Sequence, residues 1–111
     1  MITVLDIPAM AATGEGNAEV TRFLNAQTAG ARRVEGMAYR LRPGGSLRPL
    51  REAAAYQLFY VTAGQPMALY GGQRHELAPG RGVYCEPGEP CAFENPAGAA
   101  PAAFYRFIVP A

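Results

Sequence analysis

Four arginines, Arg40, Arg42, Arg48 and Arg51, are crowded between residues 40 and 51, and Glu52 follows them directly. A guanidinium turned into a cavity grips a carboxylate or phosphate through two parallel hydrogen bonds. Any single arginine is more commonly a surface residue, and Arg40 and Arg51 are the two singled out here for a pocket. Cys91 is the second group with chemical potential. A nucleophilic thiol needs a lowered pKa, which a nearby arginine would give it, and a base, usually histidine. The one histidine, His75, sits on a hairpin between Arg74 and Glu76. Cys91 therefore reads first as a small apolar filler and only weakly as a catalytic candidate. Cys85 takes a position where apolar residues alternate and reads as core. One histidine excludes a His-rich metal site within the chain. His75, Cys85 and Cys91 lack any compact zinc-type spacing. No Ser-His-Asp set and no glycine-rich phosphate loop is present. Tyr56, Tyr60, Tyr70, Tyr84 and Tyr105 suit amphipathic packing better than catalysis.

These groups must be held by short elements. The chain has 111 residues, half of them apolar, which suits one domain with one modest core. Its net charge is +1, from ten basic residues, all arginine, against nine acidic ones. That balance excludes a general nucleic-acid binder and gives no electrostatic reason to sit on an anionic membrane. No apolar run approaches the roughly 20 residues of a membrane helix, and the start carries no secretory pattern. Two cysteines make no disulfide framework, so a reduced, cytoplasmic protein is expected. Gly-Pro punctuation interrupts short apolar segments throughout, the pattern of an all-β sandwich or barrel. Strands are expected at Val20–Leu24, Glu35–Arg42, Tyr56–Thr62, Gly82–Cys85, Cys91–Glu94 and Ala103–Val109. Met67–Tyr70 and Gln73–Leu77 flank Gly71-Gly72 as a hairpin. Glu52–Ala55 has helical propensity but is too short to nucleate alone. Residues 7–18 read as a connection, and residues 2–6 as a strand suited to pairing with another subunit.

From Leu41 to Val109 the punctuation resembles the cupin superfamily, a small double-sheet jelly-roll, or double-stranded β-helix, barrel. The first family motif is G-x5-H-x-H-x3,4-E-x6-G. Gln57 lies where that motif has Glu before its closing glycine, here Gly64. The second motif is G-x5-P-x-G-x2-H-x3-N, and Gly80, Glu86, Gly88, Cys91 and Asn95 fall on its spacing. The resemblance implies a single barrel domain over residues 1–111. Its core covers about 34–109, and residues 1–33 supply N-terminal strands and a connection.

Cupins of the usual kind hold a divalent metal with three His and one Glu. Here the first two His positions fall on Arg51 and Ala53 with the shorter spacing, or on Leu50 and Glu52 with the longer. Gln57 replaces the Glu and Cys91 the last His. The shorter spacing is the better alignment, and it leaves Cys91 as the one donor. A metal wants three or four converging ligands of suitable softness, so neither a metal nor another cofactor is expected. The fold would turn Gln57 and Cys91 into the barrel from neighbouring strands, with Phe59 on the Gln57 face and Phe93 on the Cys91 face. Arg51 would lie near the mouth. Either Tyr39 or Arg40 would point inward, and parity alone does not choose. The candidate ligand-binding residues are Arg40, Arg51, Gln57, Phe59, Cys91 and Phe93, an aromatic lumen with a few polar groups. The expected function is metal-independent binding of a small polar or anionic organic molecule. The alternative is a metal-independent isomerase, cyclase or lyase in the same pocket, and a metal-dependent dioxygenase ranks below both. A barrel plugged by Phe59, Phe93 and Met67 would mark a purely structural or partner-binding module. The resemblance also implies a homodimer.

Overall fold

The computed structural model describes residues 2–111. Two antiparallel sheets face each other. The larger has the order β1-β2-β3-β10-β5-β8 and the smaller β4-β9-β6-β7. In chain order the strands are β1 Thr13–Glu15, β2 Ala18–Leu24, β3 Glu35–Leu41, β4 Ser46–Leu50, β5 Ala55–Ala63, β6 Met67–Tyr70, β7 Gln73–Glu76, β8 Gly82–Cys85, β9 Cys91–Glu94 and β10 Ala102–Pro110. The closing strand β10 is central, pairing with β3 on one side and β5 on the other. This is the jelly-roll barrel expected from the punctuation.

Strand alternation sets what fills it. Ala55, Gln57, Phe59 and Val61 of β5 are buried, as are Ala102, Phe104, Arg106 and Ile108 of β10 and Met37, Tyr39 and Leu41 of β3. The residues between them face outward, so period-2 geometry delivers one side chain in two to the interior. At the hairpin of β6 and β7, Gly71 and Gly72 both have positive φ, +57° and +72°, the conformation a tight two-residue turn requires. Gly36 serves close approach instead. A Cβ there would meet Phe23 Cζ at 2.8 Å. A register shift in β2 between Arg22 and Leu24 accompanies the packing of Phe23 on Tyr105 and Phe107, at ring distances of 5.5 and 6.1 Å.

Two segments, residues 7–18 and β4, differ from expectation. Residues 7–18 contain a turn of 3-10 helix at Ile7–Ala9 and β1, which pairs with β2 as a short hairpin. Glu52–Ala55 forms no helix. It is a turn ending in β5, because four residues without a packed face cannot nucleate one. Strand β4 was not expected, since Pro49 cannot donate to a ladder and is tolerated there only because β4 is an edge strand. Residues 2–6 form no strand in the single chain, and Ile2 and Val4 are 92% and 91% exposed. Among the described residues no helix is long and apolar enough to cross a membrane.

Candidate functional site

The interior divides in two. In one half, aromatic rings pack against one another in succession. Phe59 lies 4.8 Å from Phe93, Phe93 lies 4.5 Å from Phe104, and Phe104 lies 5.1 Å from Tyr39, ring centre to ring centre. All four residues are buried. Offset and tilted packing at these distances is favourable beyond the area buried.

The other half is polar and is organised by Arg106, whose side chain is 7% exposed. Its Nε donates to Gln57 Oε1 at 2.8 Å, its Nη1 to the Tyr39 hydroxyl at 3.3 Å, and its Nη2 to Glu52 Oε2 at 3.1 Å. Gln57 Nε2 donates in turn to the Leu50 carbonyl at 3.0 Å, and Tyr39 donates to Met37 Sδ at 3.7 Å. The guanidinium also lies 6.0 Å from the centre of the Phe59 ring, where the two halves meet. A buried guanidinium is tolerated only when its donors are met and its charge is paired. Here two partners come from rigid strands and the third from the turn between β4 and β5. Burial holds the Tyr39 phenol above its ordinary pKa, although the Arg106 charge pulls the other way. Tyr39 is therefore a neutral hydroxyl at physiological pH.

Glu52 is the part of this cluster that reaches solvent. Its side chain is 38% exposed. It lines a recess of about 640 Å³ at one end of the barrel, walled by Arg32, Val34, Ala55, Ile108 and Pro110. The turn carrying it is pinned. Gly88 N–H donates to the Glu52 carbonyl at 2.8 Å, and Arg51 Nε donates to the Gly88 carbonyl at 2.8 Å.

Among the residues singled out from sequence, Gln57, Phe59, Cys91 and Phe93 are buried inside, whereas Arg40 and Arg51 are exposed. The inward residue of β3 is Tyr39, so Arg40 belongs to the outer face, opposite Ala103 of β10. Arg51 holds the Gly88 loop from outside. The inward cation is instead Arg106, which sequence reasoning passed over. Met67 is only partly buried, and the third ring of the plug is Phe104. Cys91 is fully buried and unpaired. Burial, reinforced by neighbouring Cys85, pushes its thiol up to about 12, so it carries no thiolate for nucleophilic attack. The Cys85 thiol is also raised, chiefly by burial.

Residues 37–108 match the family model described as "Cupin domain", more than half of the chain. The chain belongs to the cupin family. Solved cupin-fold structures agree in shape at low identity. A polyketide cyclase, RemF from Streptomyces resistomycificus, is 20% identical with a TM-score of 0.84, covering 98% of this chain and 80% of its own. A predicted oxalate decarboxylase from Thermotoga maritima is 15% identical with a TM-score of 0.86, over 98% of this chain and 100% of its own. A Cupin 2 conserved barrel domain protein from Salinispora arenicola is 22% identical with a TM-score of 0.76, over 100% and 89%. No curated protein sequence matches the chain at a significant level.

The metal implied by this family does not fit the residues present. Leu50 is buried and Glu52 meets Arg106, so the longer motif spacing, not the shorter, describes the interior. The four ligand positions of this cupin are then Leu50, Glu52, Gln57 and Cys91. Leu50 has no donor atom, and the Cys91 thiol is neutral. Gln57 Oε1 and Glu52 Oε2 are both occupied by the guanidinium, whose fixed positive charge repels a second cation. Among the described residues no group of three or more His, Cys, Asp or Glu converges.

Proposed function

We propose that this cupin binds a small polar or anionic organic molecule without a metal, at the open end of its barrel. One observation carries the reading. The interior holds a guanidinium fixed by two strands, and its third partner, Glu52, borders a recess open to solvent. A pre-aimed Arg in a largely dry site favours negative ligand charge and can hold it bidentately. The recess supplies apolar wall from Val34, Ala55, Ile108 and Pro110, the usual mixture for a small-molecule site. The aromatic half offers such a molecule no room, so the ligand sits at the barrel end and not among Phe59, Phe93 and Phe104.

A second reading uses the same recess for metal-independent isomerase, cyclase or lyase chemistry. It is favoured by a solvent-reachable carboxylate, Glu52, beside a neutral phenol, Tyr39, on one guanidinium. That set can take and return a proton. Thermal-shift screening of organic acids, sugars and aromatics against the wild type and Arg106→Gln tests the site. Stabilisation by acids that vanishes in Arg106→Gln is expected. Stabilisers that act equally on both proteins would contradict it. Product formation from a stabilising acid would favour the enzymatic reading.

The protein is further proposed to act as a homodimer. Leu58, Tyr60, Tyr84 and Val109 leave the outer face of the larger sheet 44–60% exposed, and Ile2 and Val4 are uncovered as well. A second copy covering that face would hide apolar surface that otherwise invites uncontrolled association. Sizing that shows a monomer at micromolar concentration would contradict this. Its two free thiols suit a reducing, cytoplasmic compartment.

A further inference from the structure

We infer that Glu52 is an internal stand-in for the ligand's own carboxylate, so that the site takes monocarboxylates with a compact apolar body and releases Glu52 as they bind. The inference rests on the anion-binding reading above and adds the ligand class and the residue that controls access.

The three partners of Arg106 are not equivalent. Gln57 and Tyr39 are each 2% exposed and belong to β5 and β3. Both are locked by further bonds, to the Leu50 carbonyl and to Met37 Sδ. Glu52 lies outside any strand, more than a third exposed, and reaches Arg106 through one bond from one oxygen. Its backbone is tied through Gly88, so the carboxylate can leave by side-chain rotation with no movement of the turn. Rotation alone would strand a buried cation, which is strongly disfavoured. Exchange for an incoming carboxylate is not, because Arg106 keeps one negative partner throughout while Glu52 regains water. The swap is one monoanion for another. A neutral amide cannot replace the charge.

The recess sets what the carboxylate carries. Ala54 and Ala55 leave space beside Glu52, and Val34, Ile108 and Pro110 give an apolar wall. Arg32 and Glu35 at the same recess put both signs of charge around a body that itself needs none. Glu52 and the ligand therefore compete for Arg106, and the competition scales apparent affinity by the fraction of time the site is open. A site closed nine-tenths of the time binds about tenfold more weakly than an open one.

Calorimetric titration with benzoate, and with benzamide as its uncharged analogue, tests this in the full-length protein. Benzoate is expected to bind the wild type weakly and Glu52→Gln roughly tenfold or more tightly than the wild type. Benzamide should bind neither, and Arg106→Gln should lose benzoate. Glu52→Asp, whose shortened carboxylate falls short of Arg106, should lie between wild type and Glu52→Gln, and its retained charge guards against a folding defect in the first variant. The Glu52 carboxyl carbon resonance should shift to a solvated value on benzoate saturation. If benzoate binds the wild type through Arg106 but Glu52→Gln and Glu52→Asp bind no more tightly, the stand-in role is overturned while the anion site survives. If benzoate binds none of the proteins, the anion-site reading fails and the stand-in role with it. Equal binding of benzamide would overturn the assignment to carboxylates.

Discussion

The two halves of this barrel are built from the same strands yet do opposite work. On β10, Phe104 and Arg106 are two residues apart and both face inward. On β5 the same is true of Phe59 and Gln57. One step along each strand exchanges a dry aromatic stack for a hydrogen-bonded cation. The aromatic half is stabilised by close packing of rings 4.5–5.1 Å apart. The polar half is stabilised only while Arg106 keeps its partners, and one of those partners faces solvent. The fold's stability is thus concentrated in one half and its capacity for exchange in the other. The polar half carries a guanidinium paired with Glu52, and among the described residues no set of metal-ligating side chains converges.

The largest effect should come from breaking the packed half. Phe104→Ala removes the ring that touches both Phe93 and Tyr39 and should cost ~3–5 kcal/mol, read by urea unfolding. Its benzoate affinity under native conditions should stay near wild type, which would show that the halves are separable. The polar half should answer less strongly. Arg106→Leu leaves the buried Gln57 oxygen without its donor, a loss of ~1–3 kcal/mol, together with loss of acid binding. If Arg106→Leu were as damaging as Phe104→Ala, the division of labour would be wrong.

Alkaline pH probes the buried thiols. The Cys91 pKa rises from 9.0 to about 12 on folding, so folding favours the neutral thiol. Its contribution is complete below pH 9 and is lost as pH climbs toward 12. Unfolding free energy should fall by on the order of 1–2 kcal/mol between pH 8 and pH 10.5. Cys91→Ala should flatten part of that slope. In the folded state at pH 8, iodoacetamide should leave Cys91 unmodified. Glu52→Gln should cost on the order of 1–2 kcal/mol, because the amide oxygen can still accept from Arg106 Nη2 although the counter-charge is lost. A modest stability loss with a large affinity change is what separates Glu52 from every other partner of Arg106.

Much of the scaffold was legible in the chain. Gly71-Gly72 marked the hairpin, the spacing from Gln57 to Gly64 and from Gly80 to Asn95 marked the family, and Gln57 and Cys91 revealed the altered interior. Arg106 was not legible because both faces of β10 are apolar. Phe104 and Ile108 flank it on one face, and Tyr105, Phe107 and Val109 form the other. Alternation therefore identified a strand without saying which side was inside. The arginine cluster drew notice by density, yet Arg40 is one residue out of phase with inward Tyr39, and Arg51 one out of phase with Leu50 and Glu52. One-residue parity in a strand inverts the face, and only tertiary packing fixes it.

If a guanidinium stands where other cupins hold a divalent ion, the chain retains no metal. The most direct test is elemental analysis of untagged protein, purified without chelator and then exposed to manganese, iron, nickel and zinc before desalting. Metal far below one ion per chain is expected for each, with unchanged thermal stability. One tightly retained ion per chain, lost on Gln57→Ala or Cys91→Ala, would contradict it.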